Sequence, residues 1–355
     1  MLTTKVLGME AETVIKNQEN VNVIGGCQGL TLHELCGKHS EAVYSGNPIK
    51  IREASYGILQ LDPEVAYYGF EKIRDVEGLR RSRDALIRND TTAAYYAFKR
   101  LSDEEGLEAV RTIMVNRDID DAHKHFLNCF DIAGLRKVSK RMTLDYYSKR
   151  LEDYDAETES PFANGWGDRK ISVEEAKKRI GIRFEELTRG LDLADKSILD
   201  IGCGLAELYG FLSGKGIFFD YTGVEVNPEM AEKTARLRPG INIINADFME
   251  EDVRGRFDYV FSSGIFCLKT PTCTRDREDI LRKQFEIAEI ATAASFMDRS
   301  KVQKLIDTGG NGYFEQHLNY EDPAEIEIFL KSCGAKKIEI RKDYTLFEFT
   351  VVAWK

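Results

Sequence analysis

Asp200, Gly202 and Gly204 lie in SILDIGCGLAELYGFL (197–212), where a short apolar run meets a glycine turn and then a helix-like segment. Glycine at such a turn permits backbone torsions and a close ligand approach that a Cβ would block. In a sheet of parallel strands, ligands bind outside the carboxyl ends of the strands, where such turns sit. The pyrophosphate-binding version of the turn is GxGxxG, whose third glycine lets the helix N-terminus meet the phosphates. This chain has Glu207 there and Asp200 just before the turn. Two carboxylates beside the turn repel a pyrophosphate and suit a cationic ligand.

The next strands continue the pattern. Glu225 stands near the end of YTGVEV, about 20 residues after Gly204, the separation at which an acid reaches the ribose hydroxyls of an adenosine ligand. Asp247, in NADF, follows a third strand; its carboxylate can accept from an adenine amino group, with Phe248 placed to pack on the ring. S-adenosylmethionine, with a sulfonium, an ammonium and no phosphate, meets these conditions. Each residue alone has a plainer reading: the glycines as a tight turn, Glu225 as a solvated strand end, Asp247 as a helix cap.

These residues must be held by the elements around them. Strand-like SILDI, YTGVEV, INII, FDYVFS and IATAASF alternate with helix-like segments, one opened by Asn227-Pro228 and one ended by Gly334. Such alternation predicts a parallel, doubly wound α/β sheet. KKIEIRKDY and LFEFTVVAW predict a closing hairpin. Residues 61–155 read as helices, with Asp62-Pro63 as one start and Ser102 with Glu105 as a capping box. Ser172 and Glu175 cap a further helix, and Gly190 ends it. In residues 1–60, KVLGM, VNVIGG and YGILQL are candidate strands, while GGCQG (25–29) and CGKHS (36–40) read as surface turns because the phosphate-loop spacing is absent. No internal repeat or low-complexity tract is expected. ETESPFANGWGDRK (157–170) is a loop and marks the boundary between 1–155, a mainly helical cap or oligomerisation domain, and 156–355, a Rossmann-like cofactor-binding domain.

Composition narrows the function classes. With 355 residues, 43% hydrophobic and 31% charged, the chain can bury two cores. A net charge of −10 argues against nucleic acid as the main partner. Seven scattered cysteines, with no two-residue spacing and no signal-like start, fit reduced thiols in the cytoplasm. His123 and His125 point apart on a helix, so no metal site is expected. No run is long enough to span a membrane.

LDIGCG, VEVNPEM, NADF and FDYVFSSGIF, in that order over roughly residues 160–355, resemble the class I S-adenosylmethionine-dependent methyltransferases. The resemblance implies that Asp200, Gly202 and Gly204 line the methionine part of the cofactor. It implies that Glu225 holds the ribose with Asn227 nearby, that Asp247 and Phe248 meet adenine, and that Ser262 and Ser263 lie below the sulfonium. SSGIF replaces the Asp/Asn-Pro-Pro-aromatic motif of the family's nucleic-acid amino methylators, which argues against that subclass.

The acceptor is less legible. In-line methyl transfer requires alignment and exclusion of water more than a general base, and no catalytic base stands out. Tyr146, Tyr147 and Trp166, upstream of the first strand, are candidates for the substrate or lid; Arg183 is a candidate partner for the methionine carboxylate. Each could equally be packing or solvated surface. The expected activity is methyl transfer to a small molecule of specialised metabolism. Two alternatives stay open: a cyclase that turns the cofactor into azetidine-2-carboxylate and methylthioadenosine, and a non-catalytic cofactor-binding module. The helices leave room for a homodimer.

Overall fold

A computed structural model describes residues 30–152, 172–302, 317–345 and 347–355. The chain forms two compact units, Met1–Asp118 and Ile119–Lys355. The division falls upstream of the loop at 157–170, because the two helices that follow Asp118 belong with the sheet-bearing unit. That loop, KVLGM, VNVIGG and GGCQG lie outside the described residues.

The first unit carries α1 (Leu32–Ser45), α2 (Pro48–Ile58), α3 (Pro63–Ile73), α4 (Val76–Asn89), α5 (Thr91–Leu101) and α6 (Glu104–Arg117). CGKHS is therefore helical rather than a turn, and YGILQL begins as helix rather than strand. The periodic apolar residues of both segments face helical neighbours: Leu35, Ile58, Ala66 and Phe70 share one core cluster.

This unit also corrects the expectation of no internal repeat. Residues in the left-handed conformation recur every 28 positions, at Gly46, Arg74 and Ser102, and again at Phe130 in the second unit. A side-chain N-cap follows each of the first three, at Asn47, Asp75 and Asp103, and Asp131 does the same after Phe130. Ser102 is thus the end of one helix, and Asp103, not Ser102, caps the next. Asp75, Asp103 and Asp131 accept from the N–H groups of Gly78, Gly106 and Gly134 at 3.1–3.2 Å. A Cβ on those glycines would stand 2.2, 2.7 and 2.5 Å from the rings of Phe70, Phe98 and Phe126. Each repeat is one helix–turn–helix whose glycine lets a phenylalanine seat against the next helix.

The second unit opens with α7 (Ile119–Asn128), α8 (Ile132–Leu151) and α9 (Val173–Thr188). Then β1 (Ser197–Ile201), α10 (Glu207–Gly214), β2 (Asp220–Glu225), α11 (Pro228–Leu237), β3 (Asn242–Asn245), β4 (Phe257–Ser262), α12 (Cys273–Ile287), β5 (Ala288–Met297), α13 (Pro323–Ser332), β6 (Lys337–Lys342) and β7 (Glu348–Trp354) build a sheet in the order β3-β2-β1-β4-β5-β7-β6. β7 runs antiparallel to both neighbours, and the β3–β2–β1–β4–β5 pairings are parallel, as the hairpin and the alternation predict. Leu199, Ile201, Val224 and Val260 pack on one face, while Ile198, Tyr221, Tyr259 and Phe261 join Phe184 and Leu187 of α9 on the other. The strand order reverses direction between β1 and β4, which opens a crevice at their carboxyl ends.

Candidate active site

β1 delivers Asp200 to that crevice, buried at 3% exposure, and the chain then turns through Gly202 (φ 66) and Gly204 (φ 54). Both torsions are left-handed, which glycine adopts at little cost. Gly202 is also tight: a Cβ there would lie 2.2 Å from Cγ2 of Ile265, past the end of β4. Ala206, left-handed too, gives α10 no side-chain cap.

β2 delivers Glu225. One carboxylate oxygen accepts from the Gly204 N–H at 3.0 Å and the other from the Asn227 N–H at 2.8 Å. The carboxylate therefore pins the glycine turn and keeps lone pairs for a ligand. Burial raises its pKa, against the opposing pull of those N–H groups. Asp200 is pushed up to about 7 by burial, while the Tyr221 hydroxyl, donating at 2.7 Å, pulls the other way. No ion pair joins Asp200 or Glu225 to a protein cation among the described residues. Two buried carboxylates without a cation are costly unless a ligand supplies one.

The remaining site residues divide into two groups. Asn227 caps α11 through Oδ1, accepting from Glu229 and Met230, and its Nδ2 donates to Ser148 Oγ of α8 at 2.9 Å. Asp247 meets Lys140 Nζ of α8 at 2.8 Å; Lys140 also reaches Glu250 at 2.7 Å. Burial lowers the Lys140 pKa, but the two carboxylates outweigh it and raise it. Ser263 Oγ is buried without a hydrogen-bond partner among the described residues, so it can still bond a ligand. Phe248 and Ser262 belong instead to the interior. The Phe248 ring packs among Leu199, Ile201 and Val253, with Lys283 4.7 Å from its centroid. Ser262 donates to Gln284 Oε1 at 3.0 Å inside a closed network that includes Thr292 and the Val260 carbonyl.

Of the upstream candidates, Tyr146 and Tyr147 lie on α8, ring to ring at 5.1 Å. Tyr147 packs with Leu151 against Leu205 and Met230, beside the glycine turn, and burial raises its pKa. Arg150 donates to the Tyr146 hydroxyl at 3.1 Å. Arg183 is neither solvated nor facing the turn: its Nε donates to Glu348 of β7 at 2.9 Å. Cys267 is nearby, its thiol pushed up to about 12 by burial. Trp166 lies outside the described residues.

Sequence reasoning misses the reach of α8. Its Ser139 hydroxyl lies 2.8 Å from that of Thr272, ahead of α12, and Arg136 pairs with Asp276 at 3.2 Å and with Asp279. With Lys140, Tyr147 and Ser148, one helix thus touches the loops or helices that follow β1, β2, β3 and β4. The polar spacing Ser139–Lys140–Tyr147–Ser148, recurring near one helical face, is the one local trace of this role. Among the described residues no cluster of His, Cys, Asp and Glu could hold a metal.

Residues 198–286 match the model of a family described as a methyltransferase domain. The Mycobacterium tuberculosis protein named "Putative methyltransferase Rv1506c" is 28% identical over 160 residues, which cover 45% of this chain and 93% of that protein. Among solved structures, the magnesium protoporphyrin IX methyltransferase of Synechocystis PCC 6803 with bound SAH aligns with 61% of this chain and 99% of its own, at 15% identity and a TM-score of 0.46. The CcbJ methyltransferase from Streptomyces caelestis aligns with 58% of this chain and 96% of its own, at 17% identity and a TM-score of 0.41. The strand order, the family match and the curated relative lead to one identification: residues 198–286, which hold the buried acidic turn, are a methyltransferase domain.

Proposed function

We propose that this enzyme methylates a small molecule held between α8 and the carboxyl ends of β1 and β4. The observation that supports a small acceptor is the placement of α8, bonded to Thr272, Asp247 and Asn227 and packed on Leu205 and Met230. A helix fastened across the crevice excludes water and leaves little passage for a folded RNA or protein. The net charge of −10 also disfavours a polyanionic acceptor.

The residues fit the cofactor on the chemistry of their donors and acceptors. Asp200 and Glu225 supply buried carboxylates that no cation among the described residues pairs with, which suits an ammonium and a pair of ribose hydroxyls. Asp247 supplies an acceptor for the adenine amine, at the position that Lys140 also contacts. Gly202 and Gly204 let the ligand approach the backbone. Tyr147 adds an aromatic face and an oxygen beside the turn, both favourable to a sulfonium. Ser263 Oγ remains available to bond a ligand past β4. When bound, S-adenosylmethionine supplies a methyl carbon already activated by its sulfonium. The chain then has to hold the acceptor's lone pair in line with that carbon and keep the site dry.

The test is a labelled methyl group. Purified enzyme is incubated with methyl-labelled S-adenosylmethionine and, separately, with small-metabolite, RNA and protein fractions. Label in the small-metabolite fraction with S-adenosylhomocysteine as coproduct is expected. Label in RNA or protein would overturn the small acceptor. Methylthioadenosine formed without any acceptor would overturn methyl transfer in favour of ring closure.

A further inference from the structure

Tyr221 stands behind the site rather than in it. It lies on β2, 4% exposed, with its ring against Tyr209 at 5.4 Å and Phe219 at 6.3 Å. Its hydroxyl leaves that apolar cluster beside the Cys203 thiol and donates to Asp200 Oδ2 at 2.7 Å. Asp200 and Tyr221 sit on paired strands, with Tyr221 opposite Ile198 and Asp200 opposite Gly223. Gly223 has no side chain to compete for the space, and a Cβ there would strike Cys203 Sγ at 2.6 Å. A tyrosine in an apolar cluster could have been phenylalanine; of the hydroxyl's two polar neighbours, the Cys203 thiol and the Asp200 carboxylate, it donates to the carboxylate that opens the glycine turn.

We propose that Tyr221 is a positioning residue for the amino-acid end of the cofactor: its hydroxyl favours the ionised form of the Asp200 carboxylate and aims it at the ligand's ammonium. This rests on the assignment of Asp200 to that end of S-adenosylmethionine. The need for such a bond follows from the surroundings. Asp200 is faced by Glu225 of its neighbour β2 and by Glu207 of α10, both of which disfavour its charge, and by the Cys203 thiol of the turn. On the other side, its β4 pairing partner is the uncharged Phe261. Tyr147 of α8 lies nearer Glu225. Among the described residues that influence Asp200, the Tyr221 hydroxyl is the group that favours its charge. A hydrogen bond to the ionised form lowers an acid's pKa, so removing it keeps the carboxyl protonated to higher pH.

The experiment compares the full-length parent with Tyr221→Phe by calorimetric titration from pH 6 to pH 9. The probes are S-adenosylhomocysteine, which carries the ammonium, and methylthioadenosine, which lacks the amino-acid arm. Phenylalanine keeps the ring packing. The expected result is a loss of S-adenosylhomocysteine affinity of about tenfold at pH 6, shrinking toward parity by pH 9, as a carboxyl with a raised pKa regains its charge. Methylthioadenosine affinity should be the same in both proteins at every pH. A second pair in the Asp200→Asn background should show no effect of Tyr221→Phe on either probe. Equal losses for both probes, independent of pH, would reduce Tyr221 to packing and overturn the proposal, as would an unchanged S-adenosylhomocysteine profile. Failure of the parent itself to bind S-adenosylhomocysteine would instead refute the cofactor assignment on which the proposal rests.

Discussion

Gly202→Ala tests the crevice at its narrowest point. Two separate costs follow from the structure. Holding alanine at φ 66 costs about 1–2 kcal/mol, because its Cβ approaches the carbonyl. The new Cβ also falls 2.2 Å from Ile265 Cγ2, and Ile265 is wedged between two core clusters. Relieving such an overlap by shifting a packed side chain costs roughly 1–3 kcal/mol. Together they amount to about 2–5 kcal/mol of local stability, or roughly a 30- to 5,000-fold rise in amide exchange if the strands open as a unit. Hydrogen exchange of β1 and β4 is the suitable assay, because two compact units need not unfold in one transition. Ile265→Ala in the same chain separates the terms. The double variant should recover the steric part relative to Gly202→Ala, while the torsional part remains. Protection of β1 and β4 unchanged in Gly202→Ala would refute both arguments. A double variant that adds the two single losses without recovery would refute the steric one.

Glu225→Ala should weaken calorimetric binding of S-adenosylhomocysteine, since each bond to an ionised carboxylate is worth about 1.5–3 kcal/mol; unchanged affinity would remove Glu225 from the ribose assignment. Lys140→Ala releases α8 from Asp247 and Glu250, but the lysine is partly solvated, so its effect on α8 exchange should stay below about 1 kcal/mol and vanish in high salt. A larger, salt-independent effect would mean that Lys140 does more than pair. Gly106→Ala should lower the thermal stability of the first unit by about 1–3 kcal/mol through its overlap with Phe98, with Phe98→Leu restoring part of it; a neutral Gly106→Ala would refute the repeat's packing rule. Burial raises Asp200 from the ordinary carboxyl value of 3.8 to about 7, so in the ligand-free protein the neutral carboxyl favours the fold fully below pH 3.8 and that contribution is lost as pH rises through about 7. Thermal scans at pH 5.5 and 8 should therefore differ less in Asp200→Asn than in the parent, and an equal difference would refute the shift.

Local order was legible in the residues alone. The strand–turn–helix at 197–212, the acids at the ends of successive strands and the closing hairpin all follow from periods of 2 and 3.6 and from glycine's torsional freedom, which act within a few residues of each other. The 28-residue repeat was legible too, as Asp-x-x-Gly-Leu at 75–79, 103–107 and 131–135, five residues after Phe70, Phe98 and Phe126. It is easily overlooked because the turn residue ahead of each aspartate differs: arginine, serine and phenylalanine all take up the left-handed conformation. Tertiary structure alone decided the rest. Ser148 meets Asn227 across 79 residues of chain, and Ser139 meets Thr272 across 133. Arg183 turns to Glu348 across 165 residues, and Tyr221 finds Asp200 only because strand register sets them on neighbouring strands. Ser262 and Phe248 occupy the right places in their motifs, yet packing turns both inward. Motif spacing specifies where the backbone passes. Which way a side chain points, and what neutralises it, depends on register and packing between elements that no local pattern encodes.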